Sequence, residues 1–122
     1  MITLKRAYDA KGCLGAKCFL VERLWPRGVK KEELRLDGWM QDVAPSHQLR
    51  RWFRHDPAKW EEFRHRYFAE LDGKPAAWKP LAEAARHDNV ALVYSSRDSV
   101  HNNAVALKQY LETKIAMNTQ AA

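Results

Sequence analysis

A short apolar run, VALVY at 90–94, sets the strongest limit on the fold of this 122-residue chain. Polar residues, Asn89 and Ser95, stand on either side of it. An unbroken apolar run of this length is typical of a strand that is covered on both faces, as the central strands of parallel sheets are. Because parallel strands need helical crossovers between them, the run predicts an α/β fold.

Two further strands are predicted before the helices. Residues 2–8 alternate between apolar and polar side chains, and residues 17–25 are rich in residues that favour β-structure. A helical stretch of about sixty-five residues leads from the second strand to 90–94, so these two strands should run parallel. The orientation of the strand at 2–8 stays open, because the loop after it fits either an antiparallel hairpin or a short crossover.

Apolar spacing and capping residues predict the helices. Residues 36–43 carry apolar side chains at helical spacing. Ser46 and Asp56 are good N-caps for two further helices. The next helical stretch, 75–86, contains Pro80, which should kink or split it.

A final amphipathic helix is predicted after the strand at 90–94, with Asp98 or Ser99 as its N-cap. The whole pattern is a single α/β domain over residues 2–116, a small Rossmann-like sheet with parallel central strands flanked by helices. The polar end, 117–122, is predicted to be a flexible tail.

The chain is basic, with a net charge of +6 and a pI near 9.5. The excess is concentrated in residues 1–35, which hold nine Lys or Arg against four Asp or Glu. This charge predicts an anionic partner, either a small molecule or a nucleic acid, although many proteins carry such an excess for solubility alone. It does not fix the oligomeric state.

Several classes of protein are excluded by composition. Cys13 and Cys18 fit neither a disulfide scaffold nor a zinc motif, so we expect two thiols in a reducing compartment. The five histidines show no metal-binding spacing, and we expect neither a metal nor a cofactor. With no apolar run of membrane-spanning length and no signal peptide, we expect a cytoplasmic protein that does not bind membranes.

Two polar segments should meet at the carboxyl edge of the sheet, where ligands bind in open α/β folds. Arg23 and Arg27 follow the second strand, and Ser95 and Ser96 follow the strand at 90–94 just before a helix begins. Guanidinium groups beside a helix N-terminus form a plausible cradle for an oxyanion. The alternatives are structural: Arg23 could pair with a nearby carboxylate, and the two serines could satisfy turn backbone.

Two histidines are candidates for proton transfer, because imidazole titrates near neutral pH. His101 lies at the start of the last helix beside Asp98 and Asn102, and His55 precedes the Asp56 cap. The alternative is that both are ordinary boundary histidines. The arginines among the aromatic residues of 50–66 are interleaved with glutamates, which predicts a solvated helix face and not a nucleic-acid surface.

The string Val21–Gly28, VERLWPRG, resembles the signature of the YeaO-like family of uncharacterised bacterial proteins, domain of unknown function 488. Further similarity runs along residues 2–112 and includes Trp52-Phe53, His55-Asp56-Pro57 and His101-Asn102. The resemblance implies an α/β, Rossmann-like fold in three layers and a small cytosolic protein, but no reaction. The family usually has Asp where this chain has Glu22. The resemblance gives added weight to five polar residues: Arg23, Arg27, Asp98, His101 and Asn102.

The sequence favours a protein that binds a phosphate-bearing, nucleotide-like ligand at the carboxyl edge of its sheet. Arg23 and Arg27 would hold the anion, Ser95, Ser96 and Asn102 would line the site, and His101, His55 or Asp98 would move protons if hydrolase or transferase chemistry takes place. The alternative is a non-catalytic module that binds nucleic acid or another protein. The sequence alone does not decide whether the protein is an enzyme.

Overall fold

The computed structural model describes residues 1–9, 13 and 15–121, with the backbone alone for 118–121. Within them a parallel sheet of four strands is flanked by four α-helices. The strands are β1 (Ile2–Arg6), β2 (Lys17–Leu20), β3 (Gly38–Trp39) and β4 (Val90–Tyr94), in the spatial order β1-β4-β2-β3. The helices are α1 (His47–Phe53), α2 (Trp60–Asp72), α3 (Pro75–His87) and α4 (Asn103–Ala121), with short 3₁₀ helices at Gln41–Val43 and Pro57–Lys59.

The predicted central strand is confirmed. All five residues of β4 are buried, and the strand pairs in parallel with β1 on one side and with β2 on the other. Ile2 and Lys17 are both in register with Val90. The first strand, whose orientation the sequence left open, is therefore parallel, and it lies beside β4, not beside β2.

The two faces of β4 are covered in different ways. Val90, Leu92 and Tyr94 belong to the core that the helices form, together with side chains such as Phe63 and Leu107. On the opposite face Val93 packs in a second cluster with Cys18 and Leu20. That cluster is covered by Trp25, Val29, Leu34 and Leu36 from the irregular segment between β2 and β3. An irregular segment, not a helix, therefore forms the third layer here.

The helix predicted at 36–43 is wrong: the structure has β3 and a 3₁₀ helix there. Backbone N–H groups of Asp37 and Met40 donate to the carbonyl oxygens of Cys18 and Leu20, at 2.7 and 2.8 Å. Gly38 allows β2 to approach closely, because a Cβ there would lie 3.1 Å from a ring carbon of Phe19. Pairing with β2 therefore outweighs the helical spacing of the apolar residues.

The predicted caps of α1 and of the helix after Asp56 are confirmed. The Ser46 hydroxyl accepts from the Leu49 N–H, and it donates to Glu70 of α2 at 2.6 Å. Asp56 caps the 3₁₀ turn before α2. Pro80 does not split α3, whose buried side chains, among them Leu81, hold it against the core on both sides of the proline.

The last helix begins later than the sequence predicts. The side-chain oxygen of Asn102 accepts from the Val105 N–H at 3.0 Å, so Asn102, not Asp98 or Ser99, caps α4. The backbone remains helical to Ala121. The predicted tail at 117–122 thus overlaps the end of α4, its last residue lies outside the described residues, and its flexibility stays a prediction.

The two cysteines, expected as thiols, are joined by a disulfide in the structure. Their Cα atoms lie 5.7 Å apart, within the range that a disulfide bridges. Cys18 is buried in β2 and Cys13 is half-buried in the loop before it. Sequence spacing gives no sign of this pairing, since it depends on how the loop returns to the sheet.

Candidate functional site

A cavity of about 880 Å³ lies at the carboxyl edge of the sheet. Glu22 and Arg23, shortly after the end of β2, and Ser95 and Ser96, directly after β4, form part of its lining. The cavity is therefore at the edge where the sequence predicts a site. The remaining lining comes from the segment after β2, from α1 and its flanks, from α2, from the turn after β4 and from the first residue of α4: Leu24, Pro45, His47, Arg50, Arg51, Phe53, His55, Phe63, Arg97, Asp98, Asn102 and Asn103.

Four of the lining residues are arginines: Arg23, Arg50, Arg51 and Arg97. In the part of the chain that the structure describes, none of them forms a salt bridge or a side-chain hydrogen bond. The Nε of Arg23 is buried and has no hydrogen-bond partner. A buried donor without a partner is costly, and none of the described residues supplies an acceptor for it.

Besides Asp98, one acidic residue lines the cavity, Glu22. Its Oε1 accepts from the backbone N–H of Ser95 at 3.0 Å and lies 3.4 Å from the Ser95 hydroxyl. Burial raises the pKa of the Glu22 carboxyl, and the hydrogen bonds from Ser95 and the charges of Arg50 and His55 oppose that rise. Glu22 thus links the end of β2 to the end of β4, and it does not pair with Arg23.

Hydrogen bonds within the turn after β4, and one from Arg6 of β1, stabilise this turn. The Ser96 carbonyl accepts from Nε of Arg6 at 3.0 Å, and the Ser96 hydroxyl accepts from the Asp98 N–H at 3.2 Å. One oxygen of Asp98 accepts from the N–H groups of Val100 and His101, both at 2.9 Å. These backbone bonds, that from His101 first, lower the pKa of the Asp98 carboxyl.

His101 is outside the cavity lining. Its Nδ1 lies 3.0 Å from the second oxygen of Asp98, and its ring packs edge-on against Trp60 with a centroid separation of 5.4 Å. The adjacent Asn102 is 2% exposed, and its amide donates to the Asp98 carbonyl at 2.8 Å. Both His101 and Asn102 therefore have structural contacts that account for their positions.

The corner that presents His55 to the cavity has an unusual backbone. Arg54 and His55 both have positive φ, 50° and 55°, a region that residues with a Cβ rarely occupy. Arg54 is also the C-cap of α1. Such conformations cost free energy and are found disproportionately at functional sites. The corner turns His55, an exposed residue, toward the same space as Glu22.

The structure brings together most of the residues that the sequence predicted for this site. Arg23, Ser95, Ser96, Asp98, Asn102 and His55 all line the cavity. Arg27 does not. It is exposed in a turn where the Val29 N–H donates to Pro26, and its carbonyl accepts from the Tyr8 hydroxyl at 3.0 Å. The turn carries its side chain away from the lining residues.

Sequence reasoning missed the contribution of α1. Arg50 and Arg51 were expected on a solvated helix face, and both line the cavity. They are exposed, as predicted, but the hydrogen bonds between Ser46 and Glu70 place α1 so that its polar face borders the cavity. The available signal was a cluster of bases in a helix with no glutamate of its own.

No group of His, Cys, Asp and Glu among the described residues is arranged to hold a metal ion. Within the same residues no helix is both long and apolar enough to cross a membrane.

Residues 1–122 match the family model described as "Inactive DUF488-N3 subclade". The chain is 37% identical over 112 residues to the uncharacterized protein YeaO of Escherichia coli K12, a match that covers 92% of this chain and 97% of that protein. It is 38% identical over 92 residues to the uncharacterized proteins Rv3073c of Mycobacterium tuberculosis and Mb3100c of Mycobacterium bovis, covering 75% of this chain and 77% of each relative. No solved structure matches the chain.

Proposed function

The chain belongs to the YeaO-like DUF488 family, in a subclade described as inactive, and we propose that it binds a phosphate-bearing ligand without transforming it. The binding site is the cavity at the carboxyl edge of the sheet. In Rossmann-like folds this edge is where ligands bind, and phosphates are favoured there by backbone N–H groups and cationic side chains. We propose a cytoplasmic location together with this function.

One observation carries the proposal: four guanidinium groups line one cavity, and no carboxylate of the described residues pairs with any of them. Like charges repel one another, so such a cluster is stabilised by an anion that neutralises it. Guanidinium groups bind phosphate oxygens through pairs of short charge-assisted hydrogen bonds. The cavity volume leaves room for much more than a phosphate group.

The absence of catalysis is proposed on two grounds. The first is the word "inactive" in the description of the subclade. The second is the position of His101, which is engaged by Asp98 and Trp60 and does not line the cavity. A general base must come within hydrogen-bond reach of the proton that it removes. His55 is then the histidine to test for residual chemistry, because it lines the cavity at a strained corner.

The test is a calorimetric titration with adenosine monophosphate and with inorganic phosphate. Charge-assisted hydrogen bonds contribute about 1.5–3 kcal/mol each, so Arg23→Ala and Arg97→Ala should each weaken adenosine monophosphate binding by roughly 10–100-fold. Arg86→Ala at the opposite edge is the matched control. Arg27→Ala should change the affinity less than twofold, since Arg27 does not line the cavity.

Three outcomes would overturn the proposal. The first is the absence of binding at millimolar ligand, and the second is an equal loss of affinity in Arg86→Ala. The third is release of phosphate from adenosine monophosphate, detected by phosphorus NMR. Such release would make the protein a hydrolase. Tighter binding to an oligonucleotide, with an affinity that falls steeply with salt, would instead favour the nucleic-acid alternative.

A further inference from the structure

The cavity contains a hydrogen-bond acceptor that a phosphate group alone would not use. Oε1 of Glu22 is engaged by Ser95, whereas Oε2 accepts no hydrogen bond from the described residues. A carboxylate oxygen that borders a cavity can accept hydroxyl or amino donors of a ligand, and it repels ligand oxyanions. A phosphate group is therefore favoured beside the arginines and disfavoured beside Glu22, where a neutral hydrogen-bond donor fits.

The lining of the cavity also includes apolar residues. Pro45, Phe53 and Phe63 line the cavity and are themselves nearly fully buried, and Leu24 borders it with an exposed side chain. A volume of about 880 Å³ lies within the range of sites that enclose a whole small molecule. The site thus offers cationic groups, apolar groups and a carboxylate oxygen to one ligand.

We infer that the ligand is a phosphate ester of a hydroxylated sugar, of the nucleoside monophosphate class, and that Glu22 selects it through a sugar hydroxyl. The phosphate lies among the arginines, the hydroxyl donates to Oε2 of Glu22, and the base lies against the apolar part of the lining, of which Leu24 is the most exposed residue. This inference rests on the proposed function, since it assigns the rest of a ligand whose phosphate the arginines bind. Glu22 is accordingly a specificity-determining residue.

The experiment compares adenosine monophosphate with its 2′,3′-dideoxy analogue by calorimetry, for the wild-type chain and for Glu22→Gln. A hydrogen bond from a hydroxyl to a carboxylate should make the wild-type chain prefer the natural nucleotide by about tenfold. In Glu22→Gln the amide retains an acceptor for the Ser95 N–H but replaces Oε2 with a donor. The preference should fall below twofold while the dideoxy analogue binds at least as tightly as before.

Glu83→Gln, at the opposite edge, is the matched control and should keep the full preference. Ribose 5-phosphate is a third ligand in the experiment. An affinity equal to that of adenosine monophosphate would mean that the sugar phosphate alone is recognised, and a weaker affinity would mean that the base contributes to binding. Equal affinity of the wild-type chain for the two nucleotides overturns the inference and leaves the proposed function standing. Failure of every phosphate ligand to bind overturns both. Should Glu22→Gln fail to fold, the wild-type chain alone provides the test. A preference for the natural nucleotide, together with a shift of the Ser95 amide resonance that the dideoxy analogue does not cause, supports the inference.

Discussion

The two edges of the sheet differ in whether their charged side chains form salt bridges. At the amino edge Lys17 and Asp88 form a salt bridge at 3.2 Å. Close to it, Glu83 on α3 lies 3.6 Å from Arg86 and 3.0 Å from His87. The charged groups of this edge are paired within the chain, as expected of a surface whose role is structural.

At the carboxyl edge the charged side chains are not paired in this way. The arginines of the cavity form no salt bridge among the described residues, burial raises the pKa of the Glu22 carboxyl, and Arg54 adopts a backbone conformation that glycine would adopt more easily. Native proteins keep such costs where function requires them. The contrast is that unpaired arginines and a strained backbone lie at the carboxyl edge.

The largest effect should follow from removing the side chain of Asn102, an uncharged group buried in the turn of the carboxyl edge. Asn102→Ala deletes the cap of α4 and the hydrogen bond to Asp98 in a buried position, so the free energy of unfolding should fall by about 2–3 kcal/mol. Urea denaturation measures it. Asn102→Asp keeps the capping acceptor and should lose less. A loss below about 0.5 kcal/mol for Asn102→Ala would break this side of the comparison.

The strained corner should yield a gain in stability. Arg54→Gly relieves a positive φ at the end of α1, and the free energy of unfolding should rise by about 1 kcal/mol, as measured by thermal or urea denaturation. Arg54→Ala is the matched control, because it removes the same side chain and retains the Cβ. An equal response of the two variants would show that the side chain, not the backbone, sets the free energy of this corner.

The two carboxyls of the carboxyl edge should respond to pH with opposite signs. The pKa of Glu22 is raised from its ordinary 4.5 in the folded chain, so the folded state binds the proton more tightly and loses stability as the pH rises above 4.5. The pKa of Asp98 is lowered from 3.8, so its contribution is complete above 3.8 and is lost as the pH falls below that value.

Unfolding free energies of the wild-type chain, Glu22→Gln and Asp98→Asn between pH 3 and pH 7 measure both effects (a range set by the two ordinary pKa values). Glu22→Gln should gain on the wild-type chain as the pH rises, whereas the deficit of Asp98→Asn should shrink as the pH falls. Parallel curves for all three proteins would contradict the assignment of a buried carboxylate at this edge.

The smallest effect is expected at the amino edge. Lys17→Met removes one partner of an exposed ion pair, and such pairs contribute at most about 0.5 kcal/mol in most proteins. The variant should also bind adenosine monophosphate as the wild-type chain does, as judged by calorimetry. A changed affinity would mean that the influence of charge is spread over the whole protein and is not confined to the cavity.

Local signals predicted much of the fold. The apolar run of β4 and the caps at Ser46 and Asp56 can be recognised from adjacent residues alone, and the structure confirms them. β3 could not be predicted, because its two residues pair through backbone bonds with a strand about twenty residues earlier and have no strand pattern of their own. Helical spacing was the stronger local signal at that point, and tertiary contacts overruled it.

The candidate site was predicted in part for the same reason. The carboxyl ends of parallel strands share one edge, which places Arg23 near Ser95 without knowledge of side chains. Arg50 and Arg51 join them only because α1 is docked on α2, a long-range arrangement that the sequence does not encode locally. Arg27 is separated from Arg23 by the turn at Pro26, whose direction depends on the contact with Tyr8.

The placement of β4 between β1 and β2 governs how the chain is completed during synthesis. Ile2 and Lys17 cannot pair until the segment that begins at Val90 is present, since each is in register with that one residue. Until the ribosome has released this segment, the first strand has no neighbour, and the helices made in between have no finished surface to cover. A chain truncated before Val90 lacks the strand that joins β1 to β2, and we expect it not to fold.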